Sequence, residues 1–275
     1  MNRQDRQVFC REILKTTVRI LEQQKEEKVK RTLSIVAAIL LLSAMPLSAA
    51  MNGRQIMEKS DALLQPDTAE SRVIMLIHKG SRTKEKEFGL QAKQFGPEED
   101  RVKIAFIRPS RITLLTHSRK KQPDNQWLRL SSGKVKRIAL SDKGKPFVNS
   151  HFYYEDLSGI DIDDYTYSLL GEKEISGEPC YEVEAVTVKE DKVYDRLILY
   201  PRKSDCFVLR VIFYLDGQFH KFLENAEIQT VDGILTPFKV TMSTPDGKGR
   251  TELLLKALRY NQDLPDSRFR KEALR

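Results

Sequence analysis

From about residue 70 onward the chain reads as strand after strand, joined by turns too short to hold a helix, and this succession limits the fold more than any other feature. Runs rich in aliphatic, β-branched and aromatic residues are predicted to be strands at 72–79, 84–94, 101–107, 111–117, 126–130 and 134–140. Further runs follow at 179–188, 192–200, 206–215, 218–227, 235–243 and 250–258. The segments between them carry turn chemistry: Arg108-Pro109-Ser110, Ser131-Ser132-Gly133, Asp216-Gly217 and Pro245-Asp246-Gly247. A parallel crossover needs roughly a dozen residues or more. These connections are shorter, so about ten strands should form one large antiparallel sheet, strongly curved or closed. The expected fold class is mainly β with a few helices, in a single domain over 51–275.

The clearest helix is predicted at 52–64. Asn52 is its N-cap, Ile56, Met57, Leu63 and Leu64 share one face, and Pro66 stops it. Several strands are apolar at nearly every position, as in 73–77, 211–215 and 253–255, which predicts cover on both faces.

Residues 1–50 carry a different signal. Lys30-Arg31 precedes an apolar run from Leu33 to Leu42, Pro46 ends it, and Ser48 and Ala50 occupy the −3 and −1 positions of a small-residue cleavage site. The run is shorter than the roughly 20 residues that span a bilayer. Export to the periplasm with cleavage near Ala50 is therefore expected. Val29 follows Lys25-Glu26-Glu27-Lys28, which a purine-rich ribosome-binding stretch could encode. The expected signal peptide is thus about 29–50, with translation starting at Val29; a genuine long polar leader over 1–28 is the alternative. The codons at 25–27 decide between them.

The formal charge of +8 divides evenly about that cleavage point. Nine Lys/Arg and five Asp/Glu fall in 1–50, leaving 38 and 34 for the remainder. Such a mild excess argues against nucleic acid as a partner. No cysteine follows the cleavage site directly, so a lipid-free, soluble product is expected, as a monomer. Counting outward from the two hairpin turns places Cys180 and Cys206 about 9–10 Å apart across two strand spacings. That exceeds the roughly 7 Å Cα separation a disulfide tolerates, so no bond is expected.

The chain carries little that resembles catalytic or metal chemistry. His78, His117, His151 and His220 lie far apart without ligand spacing, and no nucleophile elbow or phosphate-binding glycine loop is present. Asp161, Asp163 and Asp164 alternate like calcium ligands, but the glycine and distal glutamate of the known loop are missing. A solvated acidic turn starting a helix is the expected reading. No enzyme activity, cofactor or metal is expected.

The segment Asn149-Ser150-His151-Phe152-Tyr153-Tyr154-Glu155-Asp156-Leu157 resembles the Gly-Ser-Asp-Phe-x-Tyr-Glu-Asp-Leu signature of a bacterial branch of the LolA-like, outer-membrane lipoprotein-sorting proteins. Phe106-Ile107-Arg108-Pro109 before Leu114-Leu115, Trp127-Leu128 before Val135-Lys136-Arg137-Ile138, Tyr181-Glu182-Val183-Glu184, and Thr236-Pro237-Phe238 before Gly249-Arg250-Thr251 follow in the same order. Asn149 and His151 depart from the signature, whereas Phe152, Tyr154, Glu155, Asp156 and Leu157 keep it; Tyr154, Glu155 and Asp156 are expected to be structural.

The resemblance implies an incomplete β-barrel curved around an apolar cavity, with helices as a lid. It also implies a chaperone-like carrier that binds a lipid or a lipoprotein acyl chain and takes part in lipoprotein sorting and transport through the envelope. An inner-membrane transporter is the implied protein partner. Phe106, Leu114, Phe152, Leu199, Val211 and Phe213 are the expected lipid-binding residues, chosen by their places in apolar strands. The competing readings are a periplasmic accessory subunit of a lipid transporter that binds no lipid itself, and an envelope hydrolase.

Overall fold

The computed structural model describes residues 51–158 and 160–274. The expected signal segment, its cleavage site and the expected start at Val29 lie outside the described residues. Residues 51–275 form one compact unit.

The chain opens with α1 (Gly53–Asp61). The Asn52 side chain accepts from the Gln55 amide at 2.9 Å, and the Gln55 side chain accepts from the Asn52 amide at 3.0 Å. This reciprocal cap satisfies two otherwise orphaned donors. The helix ends three residues before the predicted boundary, because the Ala62 amide bonds back to Glu58 and Ser60 and tightens the last turn. Ile56 and Met57 are buried, while Leu64, beyond that turn, is exposed.

Thirteen strands follow. The first six are β1 (Thr68–Lys79), β2 (Arg82–Gln94), β3 (Glu99–Arg108), β4 (Thr113–Arg119), β5 (Gln122–Arg129) and β6 (Val135–Arg137). After a long connection come β7 (Tyr165–Ile175), β8 (Glu178–Thr187), β9 (Arg196–Pro201) and β10 (Val208–Leu215). The last three are β11 (Gln218–Val231), β12 (Ile234–Ser243) and β13 (Gly249–Tyr260). All belong to one antiparallel sheet in the order β6-β5-β4-β3-β2-β1-β13-β12-β11-β10-β9-β8-β7. Two meanders are therefore stitched together where β1 pairs with β13. The sheet is curved but not closed, and β6 and β7 are its edges.

The mainly β class and the incomplete barrel agree with expectation; the strand count exceeds it. The predicted turn at Asp216-Gly217 joins β10 to β11 with both residues at positive φ (52° and 73°), as a tight hairpin of this type requires. β7 has no counterpart in the sequence reading. Its alternation of Tyr165, Tyr167 and Leu169 with polar residues follows directly on the acidic turn, which looked like the start of a helix. That turn is instead a single 3-10 turn, Ile162–Asp164, in which Asp161 Oδ1 accepts from the Asp163 amide at 3.0 Å.

The connection between β6 and β7, residues 138–164, lies as a strap against the inner face of the sheet. Its described residues form four 3-10 turns and no α-helix. Phe147 and Tyr154 enter one core cluster with Val73, Met75, Phe88, Phe106 and Leu114. Phe152 enters another with Ile56, Met57, Leu199, Val211 and Phe213. The lid implied by the resemblance is thus one helix and one strap.

The opposite face is also partly covered. The C-terminal turns Asp266–Phe269 and Lys271–Leu274 pack on β3 and β4, burying Phe269 and Leu274. His117 Nε2 donates to the Phe269 carbonyl at 2.7 Å. Leu114 and Leu115, neighbours on β4 that point to opposite faces, are accordingly both fully buried.

Cys180 and Cys206 are free thiols in different clusters, Cys180 with Ile198 and Tyr200, Cys206 with Leu199 and Val211. Ile198 and Leu199 are adjacent in a strand, so the two thiols lie on opposite faces of the sheet. The register used to place them needs correction. Cys180 opposes Arg202 rather than Pro201, one residue away from the count, and Cys206 sits in the turn before β10 at positive φ rather than opposite Leu199. The loop between β8 and β9 holds one residue more than the short turn assumed.

Candidate functional site

Antiparallel pairing sets a chain of inward-facing side chains. Val183 opposes Leu199, Leu199 opposes Val211, and Val211 opposes Leu223. One pleat step along, Ala185 opposes Leu197, which opposes Phe213. Because partners in register share a face, one inward residue makes the whole row inward. From the other meander, Leu90 of β2 opposes Ile104 of β3, and Ala92 opposes Val102.

Between these two rows, α1 and the strap lies a cavity of about 800 Å³. Ala185, Leu197, Leu199, Val208, Val211, Phe213 and Leu223 line one side, and Leu90, Ala92, Val102 and Ile104 the other. Tyr165 and Tyr167 of β7, Met57 of α1, and Leu157, Ile160 and Ile162 of the strap complete it. Both tyrosine phenols are pushed far above their ordinary range by burial, so they present neutral hydroxyls.

Of the six residues expected to bind lipid, Leu199, Val211 and Phe213 line this cavity. The structure places the other three elsewhere. Phe106 and Leu114 pack with Phe88 and Phe147, where the Phe106 and Phe147 rings lie 5.8 Å apart. Phe152, on the strap, packs in the core cluster with Ile56 and Met57. The sequence reading missed Ala185, Leu197, Leu223, Tyr165 and Tyr167. Their signal was the two-residue period that already marked Leu199 and Phe213, carried across strands by register.

The signature residues hold the strap down. Asp156 Oδ2 lies 2.5 Å from Lys221 Nζ on β11 and accepts from the Tyr153 amide at 2.6 Å. Asp156 Oδ1 accepts from the Tyr194 hydroxyl at 2.7 Å. Burial and the Asp156 carboxylate together push the Tyr194 phenol far up, which keeps it a donor. Burial pulls Lys221 below the ordinary lysine range, against the Asp156 charge and the Tyr153 ring 3.7 Å away. Lys221 also donates to the His151 carbonyl at 3.2 Å. His151 takes the place of the signature aspartate, and its ring and amide both bond Thr251 of β13 (2.8 and 3.1 Å). Tyr154 gives its ring to the Phe106 cluster and its carbonyl to Gln126 (2.9 Å).

Glu155 lines the cavity beside Asp156 and Tyr194 but makes no comparably short bond, and burial raises its carboxyl above the usual range. Beside it opens a polar chamber of about 470 Å³ edged by Lys120, Lys121, Asp124, Lys143 and Lys192. Arg54 of α1 ties the helix to the strap, donating to Asp163 Oδ1 (2.6 Å) and to the Ile162 carbonyl (3.1 Å). Among the described residues no group of three or more His, Cys, Asp or Glu is placed to hold a metal ion, and no helix is long and apolar enough to cross a membrane.

Comparison with known proteins agrees with this architecture. A family model described as a "-like" family of uncharacterised proteins matches residues 98–275, more than half of the chain. A DUF1329 family protein from Desulfovibrio piger superposes with a TM-score of 0.77 at 27% identity, over 81% of this chain and 98% of that one. A domain ascribed to outer-membrane lipoprotein sorting, from Vibrio parahaemolyticus, gives 0.76 at 25% identity, over 81% and 97%. A LolA superfamily protein from Nitrosomonas europaea shares the fold, with a TM-score of 0.62 at 19% identity over 82% and 100%. No curated protein matches. On the family match and these shared structures, the chain belongs to the LolA-like family.

Proposed function

We propose that this protein is a non-enzymatic carrier of the cell envelope that shields a lipid or lipoprotein acyl chain during transfer through the periplasm. The observation that carries the reading is the cavity of about 800 Å³ between the meanders, walled by aliphatic side chains from strands far apart in sequence. Its size falls in the range of small-molecule sites, roughly 300–1,000 Å³. Transferring an acyl chain from water gains about 0.8 kcal/mol per methylene, so a dozen buried methylenes supply on the order of 10 kcal/mol before ordering costs. Wall residues set in hydrogen-bonded strands keep the space open, and α1 and the strap are the elements that must shift to admit a chain.

The similarity to a domain ascribed to outer-membrane lipoprotein sorting supports the envelope location and the acyl cargo. An inner-membrane donor complex follows from the carrier role, since the chain must be extracted before it is carried.

Native mass spectrometry of the protein purified from bacterial periplasm tests the reading. Adducts at phospholipid or lipopeptide masses, and uptake of a fluorescent fatty acid by the delipidated protein, are expected. A clean apo mass with no probe uptake would overturn it and leave an accessory subunit that acts through its outer surface.

A further inference from the structure

Among the described residues, two buried side-chain atoms have no hydrogen-bond partner, Gln126 Oε1 and Glu155 Oε2. Gln126 lies on β5 outside the cavity wall, whereas Glu155 lines the cavity itself. The Glu155 side chain is only 9% exposed. Its nearest cation is Lys143 Nζ at 3.4 Å, well beyond the roughly 2.7–2.9 Å of a formed ammonium–carboxylate bond. That lysine is shared with Asp124 Oδ2 at 3.8 Å. Lys192, which borders both the apolar cavity and the polar chamber, is taken by Asp164 Oδ2 at 2.7 Å. Asp124, Glu155 and Asp164 thus face Lys143 and Lys192. Three carboxylates meet two buried ammoniums here, and Glu155 Oε2 is the carboxylate oxygen left without a hydrogen-bond donor. Lys189, 3.8 Å from Asp164, is the next cation and stands half in water.

A buried carboxylate oxygen without a donor is costly, and a cationic N–H donor from a ligand would relieve that cost. We infer that this junction is a head-group subsite, and that the cargo presents a primary ammonium to Glu155 Oε2 while its acyl chains run into the apolar cavity. This rests on the carrier reading and adds to it the class of cargo. An ammonium next to two acyl chains occurs in an aminophospholipid and in a diacylated lipoprotein whose N-terminal amine is free. An anionic head group would meet Glu155 with like charge. A quaternary amine has the charge but no N–H to donate.

The test compares wild-type affinities for lipids of identical acyl chains by displacement of a fluorescent fatty acid. Phosphatidylethanolamine should bind about tenfold more tightly than phosphatidylcholine or phosphatidylglycerol, the ratio expected when a hydrogen bond to a charged group is lost. E155Q, checked for an unchanged melting temperature, should bring the affinities for the three head groups to one value, whatever its absolute uptake. A diacylated lipopeptide and its N-acetyl form separate the two sources: a preference for the free amine that exceeds the phospholipid ratio assigns the site to lipoprotein, and a smaller one to phospholipid. Uptake with equal affinity for all head groups in the wild type, or a preference that survives in E155Q, would overturn the head-group subsite and leave the carrier standing. No uptake of any probe would overturn both.

Discussion

Lys221 Nζ and Asp156 Oδ2 lie 2.5 Å apart, with only 4% and 2% of their side chains exposed, although 64 residues separate them in the chain. They join the strap to β11 beneath the lid. A pair this deep contributes little net stability against an apolar replacement of the same shape, yet breaking it by removing one partner strands a charge. D156L and K221M are therefore each expected to destabilise by about 3–5 kcal/mol in urea unfolding. The double variant D156L/K221M should lose less than the sum of its singles. Strict additivity in that cycle would sink the clamp.

Gly53 opens α1 hard against the backbone of β7. A Cβ there would sit 2.9 Å from the Leu169 nitrogen and the Ser168 carbonyl carbon, atoms that cannot swing aside. Gly53→Ala should cost about 1–3 kcal/mol by overpacking, despite the better helix propensity of alanine. Gly89→Ala on β2 is the control, since its Cβ would find nothing nearer than the Ser71 carbonyl oxygen at 4.0 Å. Equal melting temperatures for the two variants would show that α1 does not press on the edge strand.

What the sequence disclosed and what it hid follow one physical division. Local chemistry was legible: the Asn52 cap, the Asp216-Gly217 turn and the strand run of Val73–Ile77 depend on neighbours within a few residues. Position along the sheet was not. Ile104 and Phe106 share a face of β3, yet only Ile104 lines the cavity, while Phe106 packs against Phe88 and against Phe147 from the distant strap, and nothing near Phe106 encodes that contact. Phe106 was chosen for its place in an apolar strand, yet large side chains fill cores, and the cavity survives where small or branched ones such as Ala185, Val208 and Leu223 leave room. Glu155 was read as structural along with Tyr154 and Asp156. Adjacency concealed that both carboxylates border the cavity, Asp156 bonded to Lys221 and Tyr194 and Glu155 with an oxygen lacking a donor.

The same division yields a paired prediction. Ala185 is buried but borders open space, so Ala185→Phe adds a ring to a void. Acyl-probe affinity should fall at least about tenfold, with the melting temperature held or raised, because filling a void costs none of the strain of overpacking. Phe106→Ala, in the packed cluster beside Phe147, should do the reverse: a loss of about 3–5 kcal/mol in stability with probe affinity unchanged. If both variants alter affinity alike, the cavity and the packed cluster are not separate.

His117 supplies a pH dependence with a definite sign. Burial holds its pKa below the ordinary value of about 6.5, since its ring sits between Trp127, with centroids 4.9 Å apart, and the C-terminal turns. The Phe269 carbonyl and Glu99, whose Oε1 lies 3.9 Å from Nδ1, favour the proton, and Arg101 and Arg119 oppose it. The unfolded chain therefore takes up the proton at higher pH than the folded one. The stability contributed by neutral His117 is complete above about pH 6.5 and drains away as the pH falls from there toward the folded pKa, at about 1.4 kcal/mol for each unit of depression. His117→Gln has no such group to titrate. Urea unfolding at pH 7.5 should show the variant less stable than the wild type, and the gap should narrow at pH 5.5 because only the wild type loses this contribution. A gap that stays constant or widens would mean that His117 is protonated in the folded protein, with Glu99 outweighing burial.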